Sequence, residues 1–114
     1  MRILVTIKPR MYREALAVVL YEHRPDDEVV LGEPESIEGI LAGFAPDLVV
    51  RNDTDGASLE SLAGVAQIEV LYSDGMDARV VVGGQAREKK DMDVDELLRV
   101  VDEVGGMISG RVGL

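Results

Sequence analysis

Three cationic residues follow the first apolar run of this sequence, and they are the side chains best suited to binding a ligand. Lys8 and Arg10 come just after the run at residues 2–7, and Arg13 follows about one helical turn later. The run lacks clean polar alternation, which indicates a strand covered on both faces of a parallel sheet. Ligands of such sheets gather at the carboxyl ends of the central strands, where this loop is expected to lie.

The chemistry that these cations could perform is anion binding. Positive charge in the first turn of a helix opposes the helix dipole by about 0.3–1 kcal/mol per charge, a penalty that Arg10 and Arg13 carry. A helix N-terminus with several cations is a suitable cradle for phosphate or carboxylate. Arg51, at the end of the expected third strand, would face the same crevice. The alternative is that Glu14 and other surface acids pair with these cations, which contributes little.

The composition excludes several other kinds of chemistry. The chain has no cysteine, so disulfides, thiol catalysis and cysteine-based zinc sites are excluded, and His23 is its single histidine. We expect His23 to be a structural or dipole-compensating residue on the inner face of the first helix. No nucleophile-elbow, Walker or dinucleotide-binding pattern occurs. We therefore expect no cofactor and no metal, and the least favoured hypothesis is an enzyme that uses Asp53 and Lys90.

The charge balance bounds the possible partners. Of the 114 residues 22 are acidic and 12 basic, which gives a formal net charge of -10. Such a surface repels nucleic acid and anionic membranes at long range. No stretch approaches the roughly 18 apolar residues that a membrane span needs, and the sequence begins on a strand with no leader. These features predict a cytoplasmic protein that binds neither nucleic acid nor membrane.

The first half of the chain alternates strands with helices. The first helix is expected to begin at Pro9 or Arg10 and to stop before Pro25. Its predicted apolar face consists of Tyr12, Leu16, Val19, Leu20 and His23. A strand at residues 28–31, a short helix beginning near Ser36 and a strand at residues 47–51 follow. Right-handed crossovers make these three strands parallel, in the order 2-1-3.

The second half predicts an antiparallel meander and a final helix. Strands are expected at residues 67–72, 78–82 and 85–89, the last two joined by a turn at Gly83-Gly84. Asp93 and Glu96 form a capping-box pattern that starts the last helix. We expect this helix to end at residues 105–106, so that one domain covers residues 1–106 and residues 107–114 form a loose tail.

Two segments resemble response-regulator receiver domains. Residues 46–50, Pro-Asp-Leu-Val-Val, look like the receiver strand that runs into the phosphate-accepting aspartate. Residues 90–101 are similar to the receiver stretch in which a lysine precedes the last helix, and Lys90 falls on that lysine. The resemblance implies a three-layer α/β fold of the receiver or flavodoxin kind. We expect its parallel strands, in the order 2-1-3, to be continued by the meander and accompanied by about three helices.

The departures from the receiver pattern concern its chemistry. The acidic pair that holds Mg²⁺ after the first receiver strand is replaced by residues 6–10, Thr-Ile-Lys-Pro-Arg. The phosphate-accepting position falls on Asn52, and Asp53 comes one residue late, which on a strand is the opposite face. Without converging carboxylates Mg²⁺ is poorly held, so phosphotransfer is not expected. Asp53 and Asp55 are better explained as turn formers.

The sequence therefore predicts a non-catalytic regulatory or protein-interaction domain. The alternative is a small-anion or nucleotide-binding module that uses Lys8, Arg10, Arg13 and Arg51. A protein partner is expected for the first hypothesis. We also expect a homodimer that hides part of the strand at residues 78–82, because this strand is apolar on both faces and few helices remain to cover it.

Overall fold

The chain folds into a mixed sheet covered by helices on both faces. A computed structural model describes residues 1–8, 10–52, 64–70, 77–82, 85–90 and 92–112. In chain order its elements are β1 (Arg2–Val5), α1 (Arg10–His23), β2 (Glu28–Leu31), α2 (Ile37–Gly43), β3 (Leu48–Asn52), β4 (Ala66–Val70), β5 (Ala78–Val82), β6 (Gln85–Lys89) and α3 (Val94–Val112). A single 3-10 turn at Pro34–Ser36 precedes α2.

The predicted α/β architecture is confirmed. The sheet of the described residues has the order β2-β1-β3-β4-β5-β6. Strands β2, β1, β3 and β4 are parallel, and β5 and β6 continue the sheet antiparallel to β4 and to each other. Leu4 pairs with Val49 in neighbouring parallel strands, as the order 2-1-3 requires. The turn expected at Gly83-Gly84 lies outside the described residues.

Helices cover the sheet on both sides. The chain steps from β1 to β2 in one direction and from β2 back to β3 in the other, so right-handed crossovers put α1 and α2 on opposite faces. Ile3, Val5 and Val50 share a core cluster with residues of α1 and α3. Leu4 and Val49, their alternate neighbours, pack on the other face with residues of α2. The result is three layers.

Helix α1 has the expected ends but a different buried face. It begins at Arg10 and ends at His23, before Pro25. Its buried residues are Arg13, Leu16, Ala17 and Leu20. The predicted inner face is therefore wrong for two members, since Tyr12 is 60% exposed and His23 is also exposed. Apolar residues surround this helix on nearly all sides, so periodicity alone does not determine which side packs on the sheet.

Helix α3 begins as expected and ends later. Asp93 Oδ1 accepts a hydrogen bond of 2.8 Å from the Glu96 backbone N–H, one half of the predicted capping box. The prediction that the helix ends at residues 105–106 is wrong, because it continues to Val112 and residues 107–112 are helical rather than a loose tail. A glycine costs a helix only about 1 kcal/mol, which packing can offset. The domain boundary at residue 106 stays a prediction.

Although α3 has 19 residues, no helix in the described part of the chain is both long and apolar enough to cross a bilayer. Helix α3 is amphipathic. Its buried side consists of Leu97, Val100, Val101 and Val104, whereas Asp102 and Glu103 are exposed. The buried side lies on the sheet face that α1 also covers.

An ionic network fastens α3 to the end of α1. Asp102 on α3 accepts hydrogen bonds from Arg24 Nη1 at 2.7 Å and lies 2.9 Å from His23 Nε2. Arg24 also pairs with Asp27. The hydrogen bond with His23, followed by that from Arg24, lowers the pKa of Asp102. The hydrogen bond to Asp27 is the main cause that raises the pKa of Arg24. Asp102 therefore stays ionised and holds two residues at the end of α1.

Two neighbouring glycines of α3 provide a test of this arrangement. A Cβ added at Gly106 would meet no atom within 4 Å, whereas one added at Gly105 would come within 2.6 Å of Arg24 Nη2. We expect Gly106→Ala to raise the free energy of unfolding by about 0.5–1 kcal/mol, because alanine favours the helix. Gly105→Ala should be about 1 kcal/mol less stable than Gly106→Ala, because it displaces Arg24 from its carboxylates.

Urea unfolding of the two variants measures this difference. Destabilisation by Gly106→Ala would show that the helix ends before this residue. Equal gains from both substitutions would show that Arg24 does not lie over Gly105.

Candidate ligand-binding site

The candidate site lies where the central parallel strands end. The connections that leave β1 for β2 and return to β3 lie on opposite faces, so the crevice beyond β1 and β3 is the topological switch point of the sheet. Thr6 and Lys8 follow β1, and Arg51 and Asn52 are the last residues of β3. In a doubly wound fold this is the position at which a ligand is expected.

The side chain of Asn52 ties three strand ends together. Its Oδ1 accepts a hydrogen bond of 2.7 Å from the Lys8 backbone N–H, beyond β1. Its Nδ2 donates to the backbone oxygen of Val70, the last residue of β4, at 3.5 Å. Asn52 itself is only 3% exposed. An amide suits this position because it accepts and donates at once, which an ionised carboxylate does not.

The guanidinium of Arg51 is buried and bound by the protein itself. Its Nε donates to Gln67 Oε1 at 3.1 Å, its Nη2 to Glu69 Oε1 at 2.8 Å, and its Nη1 to the backbone oxygen of Asn52 at 3.3 Å. The side chains of Arg51 and Glu69 are only 4% and 8% exposed. These contacts satisfy a charge that would be costly to bury alone.

The pair belongs to a row of alternating charges across the sheet. The strand register places Arg51 beside Glu69, Glu69 beside Arg79, and Arg79 beside Glu88. Arg79 Nη1 lies 3.6 Å from Glu69 Oε2 and its side chain is 45% exposed. Opposite charges at neighbouring positions of a sheet stabilise the pairing of strands. This row thus joins the parallel half of the sheet to the antiparallel half.

Arg13 is also buried, on the other side of the sheet. It is 4% exposed, and its Nη1 donates to the backbone oxygen of Gly32 at 3.0 Å. Its Nη2 forms an ion pair with Glu33 Oε1 at 2.9 Å. Gly32 follows β2, and its backbone N–H donates to the oxygen of Val5. Arg13 therefore fixes the first turn of α1 to the end of β2.

The other two cations of the predicted anion site form surface pairs. Lys8 Nζ lies 3.6 Å from Glu35 Oε1, with 49% and 72% of the two side chains exposed. Arg10 Nε binds Glu14 Oε1 at 2.9 Å within α1, and both side chains are more than half exposed. The pKa of Glu35 is lowered by a hydrogen bond from its own backbone N–H, to which Lys8 adds. Such exposed pairs contribute little to stability.

The structure does not bring the four predicted cations into one crevice. Arg13 belongs to α1, which packs on the face that Val5 and Val50 form. Arg51 alternates with Val50 along β3 and so lies on the opposite face, with Val49. Lys8 and Arg10 are exposed on the surface of the protein. An anion would have to displace the carboxylates that these cations already contact, and the anion site stays a prediction.

Of the residues considered for catalysis or phosphotransfer, only some lie in the described part of the chain. Lys90 is exposed, whereas Asp53 and Asp55 lie outside the described residues. Within the described ranges, no group of three or more histidine, cysteine, aspartate or glutamate residues is arranged to hold a metal ion. Thr6 is completely buried, and its hydroxyl has no hydrogen-bond partner among the described residues. Thr6 continues β1, where its backbone N–H donates to the oxygen of Val50.

Sequence reasoning did not identify Gln67 and Glu69, the partners of Arg51. Both lie on β4, whose sequence alternates polar and apolar residues. Alternation of this kind is typical of a strand with one face in water. Both side chains are nevertheless buried, each 6% exposed as a residue. The signal that could have found them is the charge complementarity between the strands containing Arg51 and Glu69.

Comparisons of this chain with protein-family models, with curated proteins and with solved structures found no match. The resemblance to receiver domains therefore rests on the sequence segments alone and remains a prediction.

Removing the charge of Arg51 tests whether this buried pair is structural. Arg51→Met leaves Glu69 buried without its main partner, which typically costs about 3–5 kcal/mol. We expect a loss of about 3 kcal/mol, at the lower end, because Arg79 can move closer to Glu69. The double variant Arg51→Met with Glu69→Met should recover much of this loss, since neither charge then remains buried. Urea unfolding measures both, and a loss below about 1 kcal/mol in the single variant would contradict a buried structural pair.

Proposed function

We propose that the chain is a non-catalytic regulatory or protein-interaction domain with a receiver-like sheet that does not transfer phosphate. The observation that carries this proposal is the environment of Asn52. This residue occupies the position at which the receiver pattern places its phosphate-accepting aspartate, and it is buried between the ends of β1, β3 and β4. The side chain at this position serves to connect strands.

Two chemical reasons support this interpretation of Asn52. A neutral carboxamide is a poor nucleophile and has no carboxylate oxygen with which to form an acyl phosphate. The position is also engaged, because its amide accepts from Lys8 and donates to Val70. Beyond β1, the acidic pair of the receiver pattern is replaced by residues that include Thr6 and Lys8, which would not neutralise a divalent cation.

The interaction part of the proposal includes a homodimer. The meander offers little free apolar surface for one, because Ala78 and Val80 are buried in the cluster that α3 also joins. On the other face of β5, Arg79 is exposed and Val81 is only half-buried. The sequence predicts the dimer at this strand because it leaves few helices to cover it. Helix α3 packs in the same cluster as Ala78 and Val80, so this reason no longer applies to the face that they form. The contact surface should lie elsewhere on the molecule.

Treatment with a phosphate donor tests the central part of the proposal. We expect acetyl phosphate with Mg²⁺ to leave the intact mass of the protein unchanged, because a carboxylate acceptor is missing at residue 52. A receiver domain with its full acidic site, treated in the same way, is the positive control. A mass gain of one phosphoryl group, mapped to Asp53 by peptide analysis, would overturn the proposal.

A further inference from the structure

Helix α1 presents a second apolar face to solvent. Met11 is 69% exposed and Val18 is 58% exposed, and the exposed Ala15 lies between them on the same side of the helix. Tyr12 and Tyr21, 60% and 59% exposed, flank this line on its two sides. We define the outer face of α1 as Met11, Tyr12, Glu14, Ala15, Val18, Tyr21 and Glu22, where the carboxylate of Glu14 is paired with Arg10.

The outer face concentrates apolar surface in a strongly charged protein. Seven large hydrophobic side chains are prominently exposed in the described residues, and four of them belong to this one helix. Isolated apolar side chains on a surface need no explanation, but a contiguous group marks an interaction site. Solvated helix faces are normally polar, so the inner and outer faces of α1 together depart from the usual amphipathic pattern.

We propose that the outer face of α1 is the contact surface of a homodimer, in which α1 packs antiparallel against α1 of a second copy. The inference rests on the homodimer of the proposed function and names its surface. A two-fold symmetric contact uses the same patch on both subunits, so the patch must be complementary to itself. The spacing and the charges of the outer face meet this requirement.

The spacing supplies the apolar part of the contact. Met11, Ala15, Val18 and Glu22 follow one another at helical spacings of four, three and four residues, a sequence of spacings that is unchanged when the helix is reversed. A two-fold axis between Ala15 and Val18 places Ala15 against the partner's Val18 and Met11 against the stem of the partner's Glu22. Because Ala15 is small, the two helices can approach closely at the centre of the contact.

The charges select the antiparallel orientation. Arg10 is the first residue of α1, beside one end of the outer face, and Glu22 lies in the last turn, at the other end. The antiparallel arrangement brings Arg10 near the partner's Glu22 at both ends of the contact. A parallel arrangement would instead place Arg10 beside Arg10 and Glu22 beside Glu22. The side chain of Arg10 is 77% exposed and pairs with the neighbouring Glu14, so its guanidinium can also reach across an interface.

The overall charge favours a second copy over a membrane as the occupant. A protein of net charge -10 is repelled by anionic lipid surfaces, and the outer face carries no excess of positive charge to oppose this repulsion. The two copies also repel each other at long range, but this term is screened at physiological salt. Apolar contact at a weakly charged patch can then dominate at short distance.

Two matched variants test the surface. Val18→Glu puts a charge at the centre of the proposed contact, and Val94→Glu makes the same change at a valine that is 47% exposed in the first turn of α3. We expect light scattering and sedimentation, from about 1 to about 300 µM, to show a wild-type dimer that dissociates on dilution. Val18→Glu should raise the dimer Kd by at least about tenfold, whereas Val94→Glu should leave it within about twofold.

Charge reversal tests the orientation. Arg10→Glu and Glu22→Arg should each raise the dimer Kd several-fold, because each places like charges together at both ends of the contact. The double variant Arg10→Glu with Glu22→Arg should restore the wild-type Kd. Arg10→Glu puts an acid in the first turn of α1, and Glu22→Arg puts a base in its last turn. Both changes are favourable to the helix dipole, so the monomer should remain folded. Thermal unfolding of each variant verifies this.

Each outcome has a definite meaning. A wild-type protein that stays monomeric throughout this range would overturn the homodimer and with it this surface. A dimer that Val18→Glu leaves intact would overturn the surface while the homodimer stands. Failure of the double reversal to restore association would overturn the antiparallel arrangement. None of these results depends on the phosphate-donor experiment, so the proposed lack of phosphotransfer is tested separately.

Discussion

The rest of the sheet depends on the requirement that the buried guanidinium of Arg51 be paired. Arg51 is on the third of four parallel strands, and its charge would cost several kcal/mol if it were buried alone. Its partners Gln67 and Glu69 come from β4, so β4 must lie beside β3 in a single register. A shift of that register by one residue would turn Glu69 to the opposite face. The pair therefore favours one alignment of the two parallel strands β3 and β4.

The same contacts occupy polar side chains at the carboxyl ends of the central strands, where a ligand would be expected to bind. The topological switch point of a doubly wound sheet is commonly a ligand site. Here Arg51 binds Glu69, Asn52 binds the backbone of Lys8 and Val70, and Arg13 binds Glu33. These contacts hold strands and helices together, and a ligand at this end of the sheet would have to displace them. The surface that we propose for interaction is then the outer face of α1, whose large apolar side chains are exposed.

The sequence predicted the fold more accurately than the roles of the polar residues. The strands β2, β5 and β6 and both ends of α1 agree with expectation, because Pro25, Gly32 and the alternation of strand and turn residues are local signals. Long-range packing determined the rest. Helix α3 continues through Gly105 because packing outweighs the low helix propensity of glycine. Helix α1 has apolar residues on two faces, and only one of these faces packs on the sheet.

The charged residues illustrate the limit most clearly. Positive charge beyond two parallel strands predicts an anion site, which stays a prediction, and the sequence does not give the register that places Glu69 beside Arg51. The polar alternation of β4 is typical of a strand with one face in water, whereas Gln67 and Glu69 are buried. Local patterns report which residues are polar. Which polar residues meet each other depends on strand alignment, and that is fixed only in the folded molecule.

The exchange of the Arg51 Nε–H proton with solvent, followed by NMR, tests the central claim most directly. If Arg51 is an internal structural partner, this proton is held by Gln67 and should exchange slowly in deuterated buffer, and its resonance should not move when inorganic phosphate is added. Exchange complete before the first spectrum, together with a phosphate-dependent shift of this resonance, would contradict the account and would show that Arg51 is available to an anion.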